Sequence, residues 1–494
     1  MKPVGSFALV LHTHLPWVAH NGTWPVGEEW LHQAFTGSWR RVLAMLHRLA
    51  SEGHTELLTL GVTPVLAAML DDPYCLAELH GWAGRWQLRA AELAARPDQG
   101  ELARWEHRQA EECLADLRDR WLTGGLSGVL RPLVDSRVVE LLSGPATHPF
   151  QPLLTERLAA AQLRTGLTDT ALRIGRPVSG IWAPECGYAP GLADFYAAHG
   201  VSHFVVDGPA VRGNTGLARP VDGTDVLAFA RDLPVSERIW SSRTGYPAGP
   251  AYRDFHLVDD LGFRPARVTG SPAKRRWQPE RAAAAVLADA RDFVDAVVRR
   301  LTELADRQGR PGLVVAAFDT ELFGHWWYEG PEFLAAVLRM LPQAGVRPTT
   351  LAGARQAGLV GAPVELPTSS WGAGKDWRIW DNDQVAPLND ELAGLQKRLF
   401  TLLDERFADR ERLPDRDPAL DQLVREALLA SSSDWAFMIS RDTAAGYARQ
   451  RAAGHVARFT ELADAIAAGT APAPLIERLR ALDGPFGHLD ARFL

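Results

Sequence analysis

Six short apolar runs, separated by helix-forming stretches, constrain the fold of this chain more than anything else in it. They are FALVLH (7–12), ELLTLG (56–61), VSGIWA (178–183), HFVVDG (203–208), DVLAFA (225–230) and LVVAAF (313–318). Runs of this length, rich in β-branched and aromatic residues, read as strands. Apolar strands alternating with helices belong to a parallel sheet covered on both faces. WRRVLAMLHRLA (39–50) and the segment opening at Pro64 are the predicted helices that follow the first two runs.

The pattern changes between residues 75 and 122, where Ala, Leu, Glu and Arg dominate without a strand run. This predicts a helical insertion, extending to about residue 145. Another long helix is predicted through 280–306, and beyond about 385 only helical spacing remains. The chain therefore reads as an α/β barrel with its insertion over 1–384, followed by an all-helical domain over 385–494.

A formal charge of −7 argues against nucleic acid or an anionic membrane as partner, since both require a basic surface. No apolar stretch is long enough to span a bilayer, and the N-terminal MKPVGSFALVLHTHLP reads as a first strand rather than a signal peptide. Three scattered cysteines fit a reducing, cytoplasmic setting. The 17 tryptophans against 7 tyrosines require a use, either core filling or stacking on the apolar faces of sugar rings.

In such barrels functional groups follow the C-terminal ends of strands. His12-Thr13-His14 could be half of a metal site, a hydrogen-bonding pair for a sugar, or incidental. Glu185 sits in the Gly/Pro-bounded loop Trp182–Tyr188, where a carboxylate would be rigidly aimed as a nucleophile; the alternative is a helix cap. Asp319 follows an apolar strand into an acidic, aromatic turn, and burial there would give a proton donor its raised pKa. Glu321 competes for that role, because strand alternation would put both side chains on one face. The loop 370–380 carries Trp371, Trp377 and Trp380, readable as sugar platforms or as buried pins. Asp434, in Ser432-Ser433-Asp434-Trp435, could be a plain N-cap. Two carboxylates on separate strand ends among indoles suit a glycosidase dyad, which in a double-displacement enzyme stands about 5–5.5 Å apart. Neither a phosphate-binding glycine loop nor a Gly-x-Ser-x-Gly elbow occurs.

Together HTHLPW (12–17), GVTP (61–64), ATHPFQPLL (146–154), WAPECGY (182–188), AFARD (228–232), IWSSRTGYP (239–247), FDTELFGHWW (318–327), SWGAGKDWRIW (370–380) and SSDWAFMI (432–439) resemble glycoside hydrolase family 57, and within it the 1,4-α-glucan branching members. The resemblance covers nearly the whole chain. It implies an incomplete (β/α)7 barrel, a helical insertion, a helical C-terminal domain, a retaining mechanism and no metal or other cofactor. By motif match Glu185 takes the nucleophile position and Asp319 that of the general acid/base. His12, His14, His148, Arg231, Trp240, Trp371, Trp380, Asp434 and Trp435 fall where the family contacts sugar or shapes the donor site. The implied substrate is an α-glucan polysaccharide such as amylose or glycogen, whose chain is cut at an α-1,4 linkage and passed to a 6-hydroxyl.

The stretch 203–226 contains no tyrosine, whereas the branching members carry a longer excursion there that sets a tyrosine over the site. An α-amylase or 4-α-glucanotransferase on the same dyad therefore stands as the alternative. A metal-dependent hydrolase built on His12 and His14 is the more distant one.

Overall fold

The computed structural model describes residues 4–241, 243–408 and 415–494. Each of the six runs forms a strand. In chain order the barrel strands are β1 (Gly5–Thr13), β2 (Leu58–Val62), β3 (Val139–Leu142), β4 (Gly180–Ile181), β5 (His203–Val206), β6 (Leu227–Ala230) and β7 (Gly312–Asp319). They pair in parallel as β7–β1–β2–β3 and as β4–β5–β6, and a parallel bridge from Ser143 to Ile181 joins the two sets. Between β6 and β7 one hydrogen bond, from the Asp232 N–H to the Val315 carbonyl at 2.7 Å, spans the gap. The result is an incomplete barrel of seven parallel strands.

Side-chain alternation along each strand sorts its residues between two cores. Ala8 and Val10 of β1 point inward with Val315 and Ala317 of β7, Val205 and Phe229, forming the barrel lumen. Phe7, Leu9 and Leu11 point outward with Val314, Ala316 and Phe318 against the helices. The same parity carries His12 and Asp319 to the top of the lumen. They are register partners across β1 and β7, so both side chains continue the inward rows.

The outer layer and insertion comprise α1 (Glu28–Ala34), α2 (Arg40–Ser51), α3 (Pro64–Leu70), α4 (Pro73–Ala94), α5 (Gly100–Asp116), α6 (Leu122–Asp135), α7 (Glu156–Ile174), α8 (Leu192–Ala198), α9 (Leu233–Trp240), α10 (Pro279–Gln308), α11 (Gly330–Gln343) and α12 (Leu351–Gln356). Pro64, Pro73 and Pro279 open their helices, where the missing N–H is no loss. After α12 come α13 (Ala386–Arg406), α14 (Pro418–Ala430), α15 (Ser433–Arg441), α16 (Ala445–Ala467) and α17 (Ala473–Leu482). From Ala419 to Ala430 every residue of α14 is buried, making it the central helix of this bundle. None of the helices among the described residues is long and apolar enough to cross a membrane.

The predicted insertion of about 75–145 is corrected by the structure: its helices end at Asp135, and β3 occupies Val139–Leu142. Only a left-handed turn at Arg137 separates the two. The strand also carries Glu140, a charge that an apolar-run criterion rejects. Its carboxylate is satisfied inside the sheet by the His203 ring at 2.7 Å and by Thr59 and the Ala352 N–H, each at 2.9 Å.

Candidate active site

Glu185 stands just past β4 in a short 3-10 turn with φ 60° and ψ 17°, and Cys186 after it also has positive φ. A non-glycine residue held in the left-handed region costs about 1–3 kcal/mol and persists only where its surroundings fix it. Two backbone clips do so. The Tyr188 N–H donates to Ser369 O at 2.9 Å, Ser369 N–H returns to Tyr188 O at 3.1 Å, and Trp371 N–H donates to Glu185 O at 2.9 Å, zipping the 369–371 loop onto the turn. On the other side Ser433 N–H donates to His148 O at 2.9 Å, docking the start of α15 against a second left-handed residue, His148 at φ 56°.

These clips aim two donors at one carboxylate. Trp371 Nε1–H donates to Glu185 Oε2 at 2.8 Å, and the Ser433 hydroxyl donates to Oε1 at 2.9 Å. Since the Ser433 proton is committed to Glu185, its oxygen accepts from His148 Nδ1, 3.0 Å away. His148 Nε2 then accepts from His12 Nε2 at 3.1 Å. Burial holds both of these imidazoles well below the ordinary histidine range, in the neutral form this one-way relay requires. His12 lies flat on Trp182, ring centroids 4.3 Å apart.

Burial pushes Glu185 up to about 7, against the pull of the two donors. Asp319 is also raised to about 7, first by burial and second by the charge of Glu185, with Arg231 and His14 working the other way. The two carboxyls therefore sense one another and titrate as a pair. The two donors on Glu185 favour its ionised form, whereas the charges of Asp434 on Glu185 and of Glu185 on Asp319 favour the protonated ones.

The remaining predicted residues divide. His14 bonds Thr63 Oγ1 at 2.9 Å and Asp434 Oδ2 at 2.8 Å. Asp434, held down to about 2 by His14 and Ser432 in spite of its burial, accepts from both side chains and is not an N-cap. Arg231 is buried, donates from Nε to Asp207 Oδ1 at 2.8 Å and spreads over the Trp371 ring at 5.5 Å. Lys375 lies 2.7 Å from the other Asp207 oxygen and donates to Trp371 O at 2.9 Å, so Asp207 anchors both cations around the loop. Trp240 ends α9 with its indole exposed, and among the described residues no hydrogen bond or ring contact ties it to the dyad. Residue 242, within its motif, lies outside the described residues.

Two predicted sugar contacts are corrected. Trp380 is 1% exposed and stacks in parallel on Phe150 at 4.6 Å, and Trp435 is 1% exposed with its N–H on Leu429 O. Neither ring has a free face for a sugar, so both are core residues that hold the site's walls. Glu321 is corrected too. The chain leaves β7 at Asp319 into a 3-10 turn, which breaks the alternation and delivers Glu321 to Trp39 Nε1 at 2.5 Å and the His14 N–H at 3.4 Å. Trp39 ends a π-helical turn, Phe35–Trp39, whose Gly37 carbonyl packs so close to Gly324 (φ 106°) that a Cβ there would collide. Sequence reasoning did not single out Ser433, Thr63, Asp207 or Trp182. Their signal is proximity to motifs already quoted, because each lies in or beside one.

His14, His148 and Asp434 are grouped closely enough for a metal, within 4.8 Å. All four ring nitrogens are engaged by Thr63, Asp434, Ser433 and His12, so the donor set is that of a hydrogen-bond network. A second group, Glu426, His455 and Asp483, is fully buried, and the Arg458 guanidinium already contacts both of its carboxylates, Asp483 at 2.7 Å and Glu426 at 3.3 Å.

Fold and site thus define a barrel enzyme with a partly buried carboxylate pair at its strand ends. The glycosyl hydrolase family 57 profile matches residues 8–352, and a profile described as 1,4-alpha-glucan branching enzyme, C-terminal, matches residues 393–494. The chain belongs to glycosyl hydrolase family 57. It is 51% identical to a probable 1,4-alpha-glucan branching enzyme of Mycobacterium tuberculosis, over 99% of this chain and 98% of that protein. Among solved structures it resembles the family 57 branching enzyme of Thermococcus kodakaraensis, solved with glucose, at TM-score 0.92 and 30% identity, covering 98% of this chain and 96% of that one. The alpha-amylase AmyC of Thermotoga maritima superposes at TM-score 0.86 and 26% identity, over 100% and 99% of the two chains.

Proposed function

We propose that this protein is a 1,4-α-glucan branching enzyme acting by double displacement, with Glu185 as nucleophile and Asp319 as general acid/base. The observation that carries the reading is the asymmetry of the pair: Glu185 accepts two hydrogen bonds, from Trp371 and Ser433, while the Glu185 charge favours the proton on Asp319. Asp319 gives that proton to the glycosidic oxygen as Glu185 attacks the anomeric carbon, and the C–O bond to the leaving chain breaks. A glycosyl ester on Glu185 results, and the Asp319 carboxylate stands ready as base. It takes the proton from a 6-hydroxyl of an acceptor chain, whose oxygen displaces Glu185 and forms the α-1,6 bond. Arg231, anchored by Asp207, steadies the negative Asp319 of this second half.

Hydrolysis is the second reading, favoured by the absence of tyrosine from 203–226, since a site less closed to water passes the ester to water. Incubation with linear amylose decides between them. New α-1,6 signals by NMR support branching, and rising reducing ends without them support an amylase. Linear amylose or glycogen is the substrate class this reading assigns. A reducing, cytoplasmic setting accords with three free cysteines, all buried.

A further inference from the structure

A cavity of about 470 Å³ lies away from the dyad, between the loop that follows β1, helix α1 and helix α4 of the insertion. Its size falls in the roughly 300–1,000 Å³ range of small-molecule sites. Trp82 forms a fixed wall, its N–H donating to Glu29 at 2.9 Å and one face covered by the Arg89 guanidinium. Trp24 and Leu88 form the rim and are 74% and 72% exposed.

Two polar atoms in this wall are buried without a partner, His32 Nε2 and Arg89 Nε, and the His32 residue is 3% exposed. An unpaired buried donor or acceptor is destabilising, and a ligand hydroxyl relieves that cost. The charges also cancel, with Glu29 and Glu78 offsetting Arg85 and Arg89. Burial and the neighbouring Arg85 hold His32 down to about 4, so it adds no charge at neutral pH. A phosphorylated or acidic ligand would find no surplus of positive charge here. A neutral, polyhydroxylated chain with apolar ring faces suits every feature.

We propose that this cavity is a remote subsite for an α-glucan chain, binding glucose units through His32, Arg85 and Arg89 against the Trp24–Trp82 walls. The proposal rests on the α-glucan reading of the dyad. The helical run that begins at Glu28 carries His32 and, seven positions on, Trp39, whose N–H bonds Glu321 beside Asp319. At about 1.5 Å per residue, seven positions set His32 about 10 Å along the helix axis from Trp39, on the far side of which Glu321 and Asp319 lie. On this proposal a long chain engages both places, whereas a short one engages only the dyad.

The test uses the full chain, with Arg85→Ala and His32→Ala assayed on linear maltooligosaccharides of increasing length. Arg85 is exposed, so its variant carries the test if the buried His32 variant does not fold. The expected result is a KM for long chains raised about tenfold or more, with kcat and the turnover of maltotetraose unchanged. An Arg85→Ala protein with wild-type melting temperature and wild-type KM at every length overturns the subsite alone, and so does a loss confined to kcat. A wild-type protein inert on every α-glucan overturns the function beneath it, and the subsite with it.

Discussion

The Ser433 hydroxyl at the start of α15 donates to Glu185 Oε1 at 2.9 Å, although the two residues lie 248 positions apart. The C-terminal helices therefore supply a donor to the carboxylate that the barrel presents, as well as covering it. A hydrogen bond to a charged acceptor contributes about 1.5–3 kcal/mol. Ser433→Ala is expected to lower kcat/KM roughly tenfold to a hundredfold with melting temperature little changed. Its acidic limb should move to higher pH, because Glu185 loses a bond that favours the ionised form. Ser433→Thr, which keeps the hydroxyl, is expected to restore much of the rate.

The pair itself fixes a pH window. Glu185 and Asp319 are both raised to about 7 and the reaction needs one proton between them. Measured kcat/KM is expected to peak near neutrality, falling below as Glu185 gains its proton and above as Asp319 loses its own. Asp319→Asn should cost roughly 10²–10⁴-fold on amylose and much less on a glucosyl fluoride, whose leaving group needs no protonation.

Glu321 gives a separate signature in stability. Burial raises its folded pKa from the ordinary 4.5 to about 8, so folding favours the protonated form. That contribution is present in full below about 4.5 and is lost as pH rises through about 8, an effect on the order of a few kcal/mol. Glu321→Gln, which keeps an oxygen for Trp39, is expected to retain activity and to flatten the fall of thermal midpoint between acid and alkaline pH. Loss of activity as complete as that of Asp319→Asn would transfer the acid role to Glu321.

Two tryptophans of one loop should separate cleanly. Trp380 packs on Phe150 in the core, and Trp380→Ala is expected to destabilise by about 3–5 kcal/mol in denaturant titration. Trp371→Phe keeps ring packing but removes the N–H on Glu185, so kcat should fall while stability holds.

Strand ends were legible because parallel strands buried on both faces leave apolar runs, and the functional groups of a barrel follow the C-terminal ends of such runs. Asp319 and His12 could be read in this way, as could Glu185 from its Gly/Pro-bounded loop. β3 was not, because Glu140 interrupts its run and is satisfied only by residues far along the chain. The split between Trp371 and Trp380 was illegible for the same reason: Phe150 and Glu185, which decide it, lie more than 180 positions away in sequence. Glu321 misled because alternation holds only while the strand continues, and the strand stops at Asp319.

Double displacement is tested most directly by trapping the ester. A 5-fluoro-α-glucosyl fluoride, whose glycosyl-enzyme turns over slowly, should add one glycosyl mass to the protein, and peptide mass spectrometry should place it on Glu185. A label on another residue, or turnover without any label and with inverted anomeric configuration in the first product, would contradict the assignment of Glu185 as nucleophile.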